Sequence, residues 1–300
     1  MPFTNLRLRD RQVFHGSRAK LLYELIGWHF RNASDLRFMN YGFAADDLAP
    51  PVSLRPEDKA EHYCSQLYHA VASQVDLSGA QVLDVGSGRG GGASYVHRYL
   101  RPKRTVGCDF AHSAIKFCEN TYSHIPGLEF REGNAMALPF ADSSFDVVLN
   151  VESSHCYPDR PAFLREVFRV LRPGGHFLYT DFTPPQKDPI AVDARTRVDL
   201  TTTGFLAIDG VDITQNIVRG LDRDSARRVR EIGRRFPWGT RRMAQMWAGT
   251  VDSWIYRDFQ TGARAYWMYR ATRPDLSATN EHEIHSAPCQ LSEMVQKVPA

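Results

Sequence analysis

The strongest constraint on the fold is an alternation of short apolar runs with helical segments that begins at residue 81. One of these runs, Phe145–Val151, is apolar on both faces, which is typical of a buried strand in a parallel sheet. The other strand-like runs are Gln81–Val85, Arg104–Phe110, Leu128–Glu132 and His176–Phe182, and the helical segments are Gly90–Leu100, Ser113–Tyr122 and Arg160–Leu171. Such repeated alternation predicts an α/β fold, in which right-handed crossovers connect the strands of a parallel sheet.

The segments outside this alternation differ in character. Helical spacing of apolar residues predicts an amphipathic helix at Ser17–Phe30 and a second helix at Glu57–Val75. After Pro184 the alternation stops, and an arginine-rich stretch follows. We therefore divide the chain into an N-terminal helical lid segment (1–60), a ligand-binding core (61–183), a helical cap over the active edge of the sheet (184–255), a closing strand of the core (256–274) and a polar, flexible tail (275–300).

Composition narrows the class of protein. The chain is 43% hydrophobic and 24% charged, as in ordinary globular proteins, and its net charge of +3 is too small to indicate a nucleic-acid partner. The first dozen residues lack the apolar region of a secretory signal, and no apolar run reaches the ~20 residues needed to span a bilayer. The five cysteines show no C-x-x-C spacing. We therefore expect reduced thiols, no metal site, no membrane span and a cytoplasmic location.

A glycine-rich turn follows the first strand of the alternation. Gly86 and Gly88 stand where a strand leads into a helix, so the backbone can turn sharply there and approach a ligand closely. Asp109 ends the second strand, where a carboxylate accepts hydrogen bonds from ribose hydroxyls. Because Gly86-x-Gly88-x-Gly90-Gly91 also satisfies the G-x-G-x-x-G pattern, these residues alone leave a nicotinamide dinucleotide and S-adenosylmethionine both open.

Two further motifs favour one of these cofactors. The first runs from Gly133-Asn134-Ala135 through Leu138-Pro139-Phe140 to Phe145-Asp146, and the second is Leu171-Arg172-Pro173-Gly174-Gly175. Together with the glycine turn they resemble class I S-adenosylmethionine-dependent methyltransferases over about half of the chain. This resemblance implies a Rossmann-like, seven-stranded, mostly parallel sheet flanked by helices, with S-adenosylmethionine as cofactor. It disfavours an NAD-dependent dehydrogenase.

Three further segments resemble one particular group of these methyltransferases. Val148–Pro158, Gly90–Tyr95 and Gln66–His69 are similar to segments of the mycobacterial phthiotriolone/phenolphthiotriolone dimycocerosate methyltransferases and related bacterial lipid and polyketide O-methyltransferases. The similarity is best over residues 60–183. Asn134 departs from the pattern, since the family usually has Asp at this position. Asparagine keeps an acceptor oxygen for the adenine amino group, so we expect cofactor binding to be retained.

The resemblance implies roles for individual residues. Asp84 would hold the glycine turn and the methionine part of the cofactor, Asp109 the ribose hydroxyls and Asn134 the adenine. Tyr41 would cover the sulfonium or the substrate entrance, or else pack in the N-terminal core. The complete set of expected cofactor contacts is Asp84, Gly86, Ser87, Gly88, Asp109, Phe110, Asn134, Ala135, Asn150, Tyr41 and Gln66.

His155 and Glu152 are the candidate catalytic residues. His155 follows the fourth predicted strand, at the edge where open α/β sheets bind ligands. An imidazole with a pKa near ~6.5 suits a general base that removes the proton of an attacking hydroxyl, although His155 could instead order its loop. Glu152 is the second candidate for the base, or it orients His155.

The predicted reaction is methyl transfer to a hydroxyl or carboxyl oxygen of a small apolar natural product, polyketide or lipid. The residues leave two alternatives open: C- or N-methylation of a terpenoid or alkaloid, and a non-catalytic, cofactor-binding regulatory protein. They also leave a homodimer open.

Overall fold

The computed structural model describes residues 36–46 and 52–275. The predicted helix Ser17–Phe30 and the predicted tail lie outside these ranges, apart from residue 275. The strands are β1 Gln81–Val85, β2 Arg104–Asp109, β3 Leu128–Glu132, β4 Phe145–Val151, β5 Leu171–Phe182, β6 Leu206–Asp212 and β7 Tyr266–Thr272. The α-helices are α1 His62–Ala72, α2 Gly91–Leu100, α3 His112–Tyr122, α4 Arg160–Val170, α5 Pro189–Thr203, α6 Thr214–Arg235, α7 Arg241–Trp247 and α8 Trp254–Gln260. Short 3-10 turns lie at Pro56–Glu61, Ser154–Cys156 and Trp238–Thr240.

The strands form one seven-stranded sheet in the order β3-β2-β1-β4-β5-β7-β6. The five strands of the alternation are parallel, and only β7 runs antiparallel to its neighbours β5 and β6. This arrangement confirms the predicted mostly parallel, Rossmann-like sheet. In this register the carboxyl ends of β1, β2 and β4 meet at one edge, so the loops that follow these strands lie side by side.

Both faces of the sheet are covered, which explains its long apolar strands. Successive residues of β1 point to opposite faces: Val82 belongs to an apolar cluster with residues of α1, α2, α6 and α8, whereas Leu83 belongs to a cluster with residues of α4 and α5. The chain begins α4 with a local signal, because the Asp159 carboxylate accepts a hydrogen bond from Ala162 N (2.9 Å) and Pro161 stands in the first turn. The helices thus hold the ligand-binding edge of the sheet in place.

The structure differs from the sequence predictions in three places. The segment 184–255 is not wholly helical, because β6 lies inside it and extends the sheet. Most residues of this edge strand are exposed, so it lacks the apolar pattern that reveals buried strands. The fifth strand begins at Leu171 rather than His176, so the Pro-Gly-Gly run belongs to the strand. The helix predicted at Glu57–Val75 begins as a 3-10 turn and ends at Ala72.

No helix within the described ranges is both long enough and apolar enough to cross a bilayer.

Candidate cofactor and acceptor site

A cavity of about 350 Å³ opens at the edge where β1, β2 and β4 end. This volume lies in the range of small-molecule sites. Its wall is formed by Arg37–Asn40, Tyr68, Val85–Arg89, Gly92, Cys108–Ala111, Ala114, Gly133–Met136, Val151–Ser153 and Cys156–Pro158. The wall includes seven of the eleven residues predicted to contact the cofactor. Those seven are Gly86, Ser87, Gly88, Asp109, Phe110, Asn134 and Ala135.

The two glycines of the turn serve different purposes. Both have left-handed backbones, with φ of 75° at Gly86 and 51° at Gly88. A Cβ atom at Gly86 would lie 2.2 Å from Ser153 Oγ, so the loop after β4 packs tightly against this residue. A Cβ atom at Gly88 would meet no atom within 4 Å. Gly86 therefore allows close packing of two loops, whereas Gly88 presents bare backbone to the cavity.

Asp109 holds the turn from the neighbouring strand. Its Oδ2 accepts a hydrogen bond from Gly88 N (2.8 Å), and its Oδ1 accepts one from Ala111 N (2.9 Å). Each carboxylate oxygen can accept a further hydrogen bond. Asp109 can therefore fix the loop and bind a ribose hydroxyl at the same time.

Asp84 lies behind the cavity rather than in its wall. The carboxyl is fully buried. Oδ2 accepts a hydrogen bond from the Tyr68 hydroxyl (3.3 Å), and Oδ1 has no partner in the described part of the chain. Burial raises the pKa of Asp84 to about 8, although the bond from Tyr68 opposes the rise. Since Tyr68 does line the cavity, Asp84 is connected to the cavity wall through that side chain.

Asn134 lies in the wall, but its oxygen is already engaged. Oδ1 accepts a hydrogen bond from Met136 N (3.0 Å), as asparagine commonly does in turns. This bond assigns the oxygen and leaves the amide NH₂ on the other side of the group. The predicted contact to the adenine amino group would therefore use the second lone pair of Oδ1.

Three other predicted contacts do not reach the cavity wall. Asn150 is fully buried, and its Nδ2 donates to Val85 O (2.9 Å) and Ser153 Oγ (2.7 Å), which ties the loops after β1 and β4 together. The Tyr41 ring packs against Phe182 and Phe259, at centroid distances of 5.6 and 5.7 Å. Gln66 is buried on α1. The structure thus places Tyr41 in the core packing that was its alternative role.

The sequence predictions missed one side of the cavity, the segment Arg37–Asn40. Its backbone is held from the opposite wall, because Arg37 O accepts a hydrogen bond from Gly91 N (3.2 Å) and Leu36 O accepts one from Arg89 Nε (2.6 Å). A Cβ atom at Gly91 would lie 2.6 Å from Arg37 O. The glycine at the start of α2 therefore makes room for this segment.

Glu152 joins the N-terminal segment to the sheet. Its backbone is left-handed, with φ of 50°. Its Oε1 accepts hydrogen bonds from Tyr41 N (2.9 Å) and from the Tyr266 hydroxyl on β7 (2.6 Å). Burial raises the pKa of Glu152 to about 7, although both bonds oppose the rise. Through these bonds Glu152 connects three segments of the chain. Glu152 also lines the cavity.

His155 forms a pair with Asp181, a residue that the sequence predictions missed. His155 Nδ1 lies 2.9 Å from Asp181 Oδ1, and its backbone N–H donates to Oδ2 at the same distance. Burial lowers the pKa of His155, but the charge and hydrogen bond of Asp181 outweigh this and hold it well above the usual value. Burial alone would raise the pKa of Asp181, but the charge of His155 and its hydrogen bond outweigh this effect and lower the pKa. Asp181 could have been identified from its position near the end of β5, because this strand ends beside β4 at the same edge of the sheet.

A second cavity of about 630 Å³ adjoins this pair. Its wall is formed by Ser154, His155, Tyr157, Arg160, Tyr179, Asp181–Pro184, Lys187, Asp188, Ala191, Val192, Arg195, Thr196, Trp267 and Tyr269. Tyr157 lines both cavities. A ligand in the second cavity would therefore lie beside the first cavity and against the His155–Asp181 pair.

Within the described residues, no three His, Cys, Asp or Glu side chains are grouped so that they could hold a metal ion.

Comparison with known proteins shows the family to which the chain belongs. A family model described as a methyltransferase domain matches residues 83–179. A probable phthiotriol/phenolphthiotriol dimycocerosates methyltransferase 2 of Mycobacterium ulcerans is 41% identical over 223 residues, which cover 74% of this chain and 83% of that protein. A fatty-acid O-methyltransferase of Mycolicibacterium smegmatis is 43% identical over 207 residues, 68% of this chain and 72% of that protein.

Solved structures show the same fold at low sequence identity. The [4+2]-cyclase SpnF superimposes with a TM-score of 0.67 at 18% identity and covers 87% of this chain and 98% of its own. A putative sarcosine dimethylglycine methyltransferase from Galdieria sulphuraria superimposes with a TM-score of 0.65 at 16% identity and covers 84% of this chain and 98% of its own. From the sequence relationships we conclude that the chain belongs to the family of the phthiotriol/phenolphthiotriol dimycocerosates methyltransferases and is an S-adenosylmethionine-dependent methyltransferase.

Proposed function

We propose that the chain transfers a methyl group to a hydroxyl or carboxyl oxygen of an apolar acceptor such as a lipid or polyketide. The observation that carries this proposal is the His155–Asp181 pair, which lies in the wall of the second cavity and next to the first. The names of two relatives support the substrate class, since one is named a fatty-acid O-methyltransferase and the other a probable phthiotriol/phenolphthiotriol dimycocerosates methyltransferase. Aromatic side chains in the second cavity, among them Tyr179 and Trp267, suit an apolar ligand.

The first cavity fits the cofactor. The bare backbone at Gly88, the Asp109 carboxylate and the Asn134–Ala135 wall would hold the methionine part, the ribose and the adenine respectively. When bound, S-adenosylmethionine supplies a methyl group on a sulfonium leaving group. The Arg37–Asn40 segment forms another side of the cavity and would help to exclude water from the reacting atoms.

His155 would take the proton of an attacking hydroxyl. Asp181 fixes the ring through Nδ1 and so orients the imidazole towards the acceptor. Because the same contact raises the pKa of His155, the neutral, proton-accepting form becomes abundant only as the pH rises above the usual histidine range. A carboxyl acceptor is already ionised and needs no base, so His155 would then serve for orientation alone.

The pH dependence of methyl transfer tests this role. We expect kcat/KM for a hydroxyl acceptor, such as octan-1-ol, to rise with pH through an apparent pKa above ~6.5. In Asp181→Asn the imidazole loses its anionic partner, so its pKa falls and the rise should move to lower pH. In His155→Gln, transfer to the hydroxyl should drop ~10²- to 10⁴-fold, with unchanged affinity for S-adenosylhomocysteine. Equal rates for His155→Gln and the natural chain on hydroxyl acceptors would refute the role of His155.

We also propose a cytoplasmic location, because the cysteines within the described ranges are free thiols, as is usual in reducing compartments.

A further inference from the structure

The wall of the second cavity contains two buried hydrogen-bond donors that have no acceptor. Arg160 Nε and Trp267 Nε1 are screened from solvent, and neither has a partner within the described residues. Both residues line the cavity. A buried donor without a partner costs ~1–3 kcal/mol. Two such donors in one wall indicate a ligand group that only accepts hydrogen bonds.

The charge of Arg160 also indicates a ligand group that accepts hydrogen bonds. Arg160 begins α4, and its guanidinium carries five N–H donors. Its contacts in the described part of the chain are to uncharged groups: Nη2 donates to Thr196 Oγ1 (3.0 Å), and the Tyr179 ring centroid lies 5.6 Å from Cζ. Asp199 and Asp181 stabilise the positive charge from a distance, but no anionic side chain within the described residues lies at contact distance from the guanidinium. A partly buried charge of this kind favours an anionic ligand.

The carboxylates of the wall are already engaged elsewhere. Asp181 accepts hydrogen bonds from His155 and from Ser154 Oγ (2.7 Å). Asp188 caps α5 by accepting from Ile190 N and Ala191 N. Neither is available to balance Arg160 in direct contact.

The other cations of the wall differ from Arg160 in position or in pairing. Arg195 forms an ion pair with Asp199 (2.7 Å) and is largely exposed. Lys187 is exposed and adds positive charge at the cavity mouth. His155, when protonated, is already paired with Asp181 (2.9 Å). Arg160 is thus the partly buried cation of the wall that has no anionic side chain at contact distance among the described residues.

We propose that the second cavity binds the carboxylate of an acceptor molecule, with the Arg160 guanidinium and the Trp267 indole N–H donating to the carboxylate oxygens. The apolar body of the same molecule would pack against the rings of Tyr179 and Phe182. A carboxylate is an acceptor-only group, which matches the two donors. This proposal rests on the proposed function in one respect, namely that the methyl acceptor enters this cavity.

Titration calorimetry with octanoate and octan-1-ol tests the proposal on protein saturated with S-adenosylhomocysteine. Octanoate should bind the natural chain more tightly than octan-1-ol. Arg160→Met and Trp267→Phe should each weaken octanoate binding about tenfold or more, as expected for hydrogen bonds to a charged group. Neither substitution should weaken the binding of octan-1-ol to this extent.

Two matched controls separate this site from general effects. Arg172→Met removes an arginine outside both cavities that is already paired with Asp146 (2.6 Å). Trp254→Phe removes another buried indole N–H without a partner, outside both cavities. Both should leave octanoate affinity within about twofold of the natural value, well below the loss expected for a hydrogen bond to a charged group.

Equal binding of octanoate to the natural chain and to Arg160→Met would overturn the proposal. If Arg160→Met does not fold, as judged by its thermal melt, unchanged octanoate affinity in Trp267→Phe would overturn it instead. The proposed function is tested independently of the octanoate titrations. It would be refuted if no methyl transfer to any acceptor were detected.

Discussion

Replacement of Glu152 by glutamine should make the stability of the protein less dependent on pH. The buried carboxyl has a pKa of about 7 in the folded chain, compared with 4.5 for an ordinary glutamate. A carboxyl whose pKa is raised by folding stabilises the folded state fully below pH 4.5, and this contribution is lost as the pH rises through 7. The difference corresponds to ~3 kcal/mol between the two limits.

Glutamine should keep the hydrogen bonds of this side chain while removing its charge. Its Oε1 can still accept hydrogen bonds from Tyr41 N and the Tyr266 hydroxyl, as the glutamate does. Urea unfolding at pH 5 and pH 8 measures the effect. Relative to Glu152→Gln, the natural chain should lose ~2–3 kcal/mol of unfolding free energy between these pH values.

The control is Glu119→Gln, which neutralises an exposed glutamate on α3. It should follow the natural chain at both pH values. Parallel pH profiles for Glu152→Gln and the natural chain would refute the argument, because they would show that ionisation of Glu152 costs nothing in the folded state.

Two further predictions concern cofactor binding and stability. Gly88→Ala and Gly79→Ala place a Cβ on equally unobstructed left-handed backbones, so each should lower stability by ~1–2 kcal/mol. Only Gly88→Ala should weaken S-adenosylhomocysteine binding in calorimetry, since Gly79 lies outside the cavity, and equal affinities would exclude close cofactor contact at Gly88. Asp58→Asn should lower the free energy of unfolding by ~3–5 kcal/mol in urea titration, because the buried carboxylate pairs with Arg37 and Arg98. A loss below ~1 kcal/mol would show that this buried cluster behaves like a surface ion pair.

The sequence predicted most of the sheet and the glycine-turn side of the first cavity. The buried parallel strands are revealed by short-range apolar patterns, and the glycine turn by residues that are adjacent in the chain. Asp109 could be placed beside this turn because the carboxyl ends of neighbouring parallel strands meet at one edge. The edge strand β6 was not predictable in this way, since most of its side chains face solvent and carry no apolar pattern.

What the sequence by itself determined is thus local: the period of the strands and helices, the turn at Gly86–Gly88, and the position of His155 just after β4. The tertiary structure decided which distant groups meet. Asp181 lies 26 residues from His155, and Tyr41 and Tyr266 lie 111 and 114 residues from Glu152. These pairings depend on the order of the strands in the sheet and on the path of the N-terminal segment. Neither leaves a pattern in nearby residues, because the packing energy that selects them comes from surfaces that the folded sheet alone brings together.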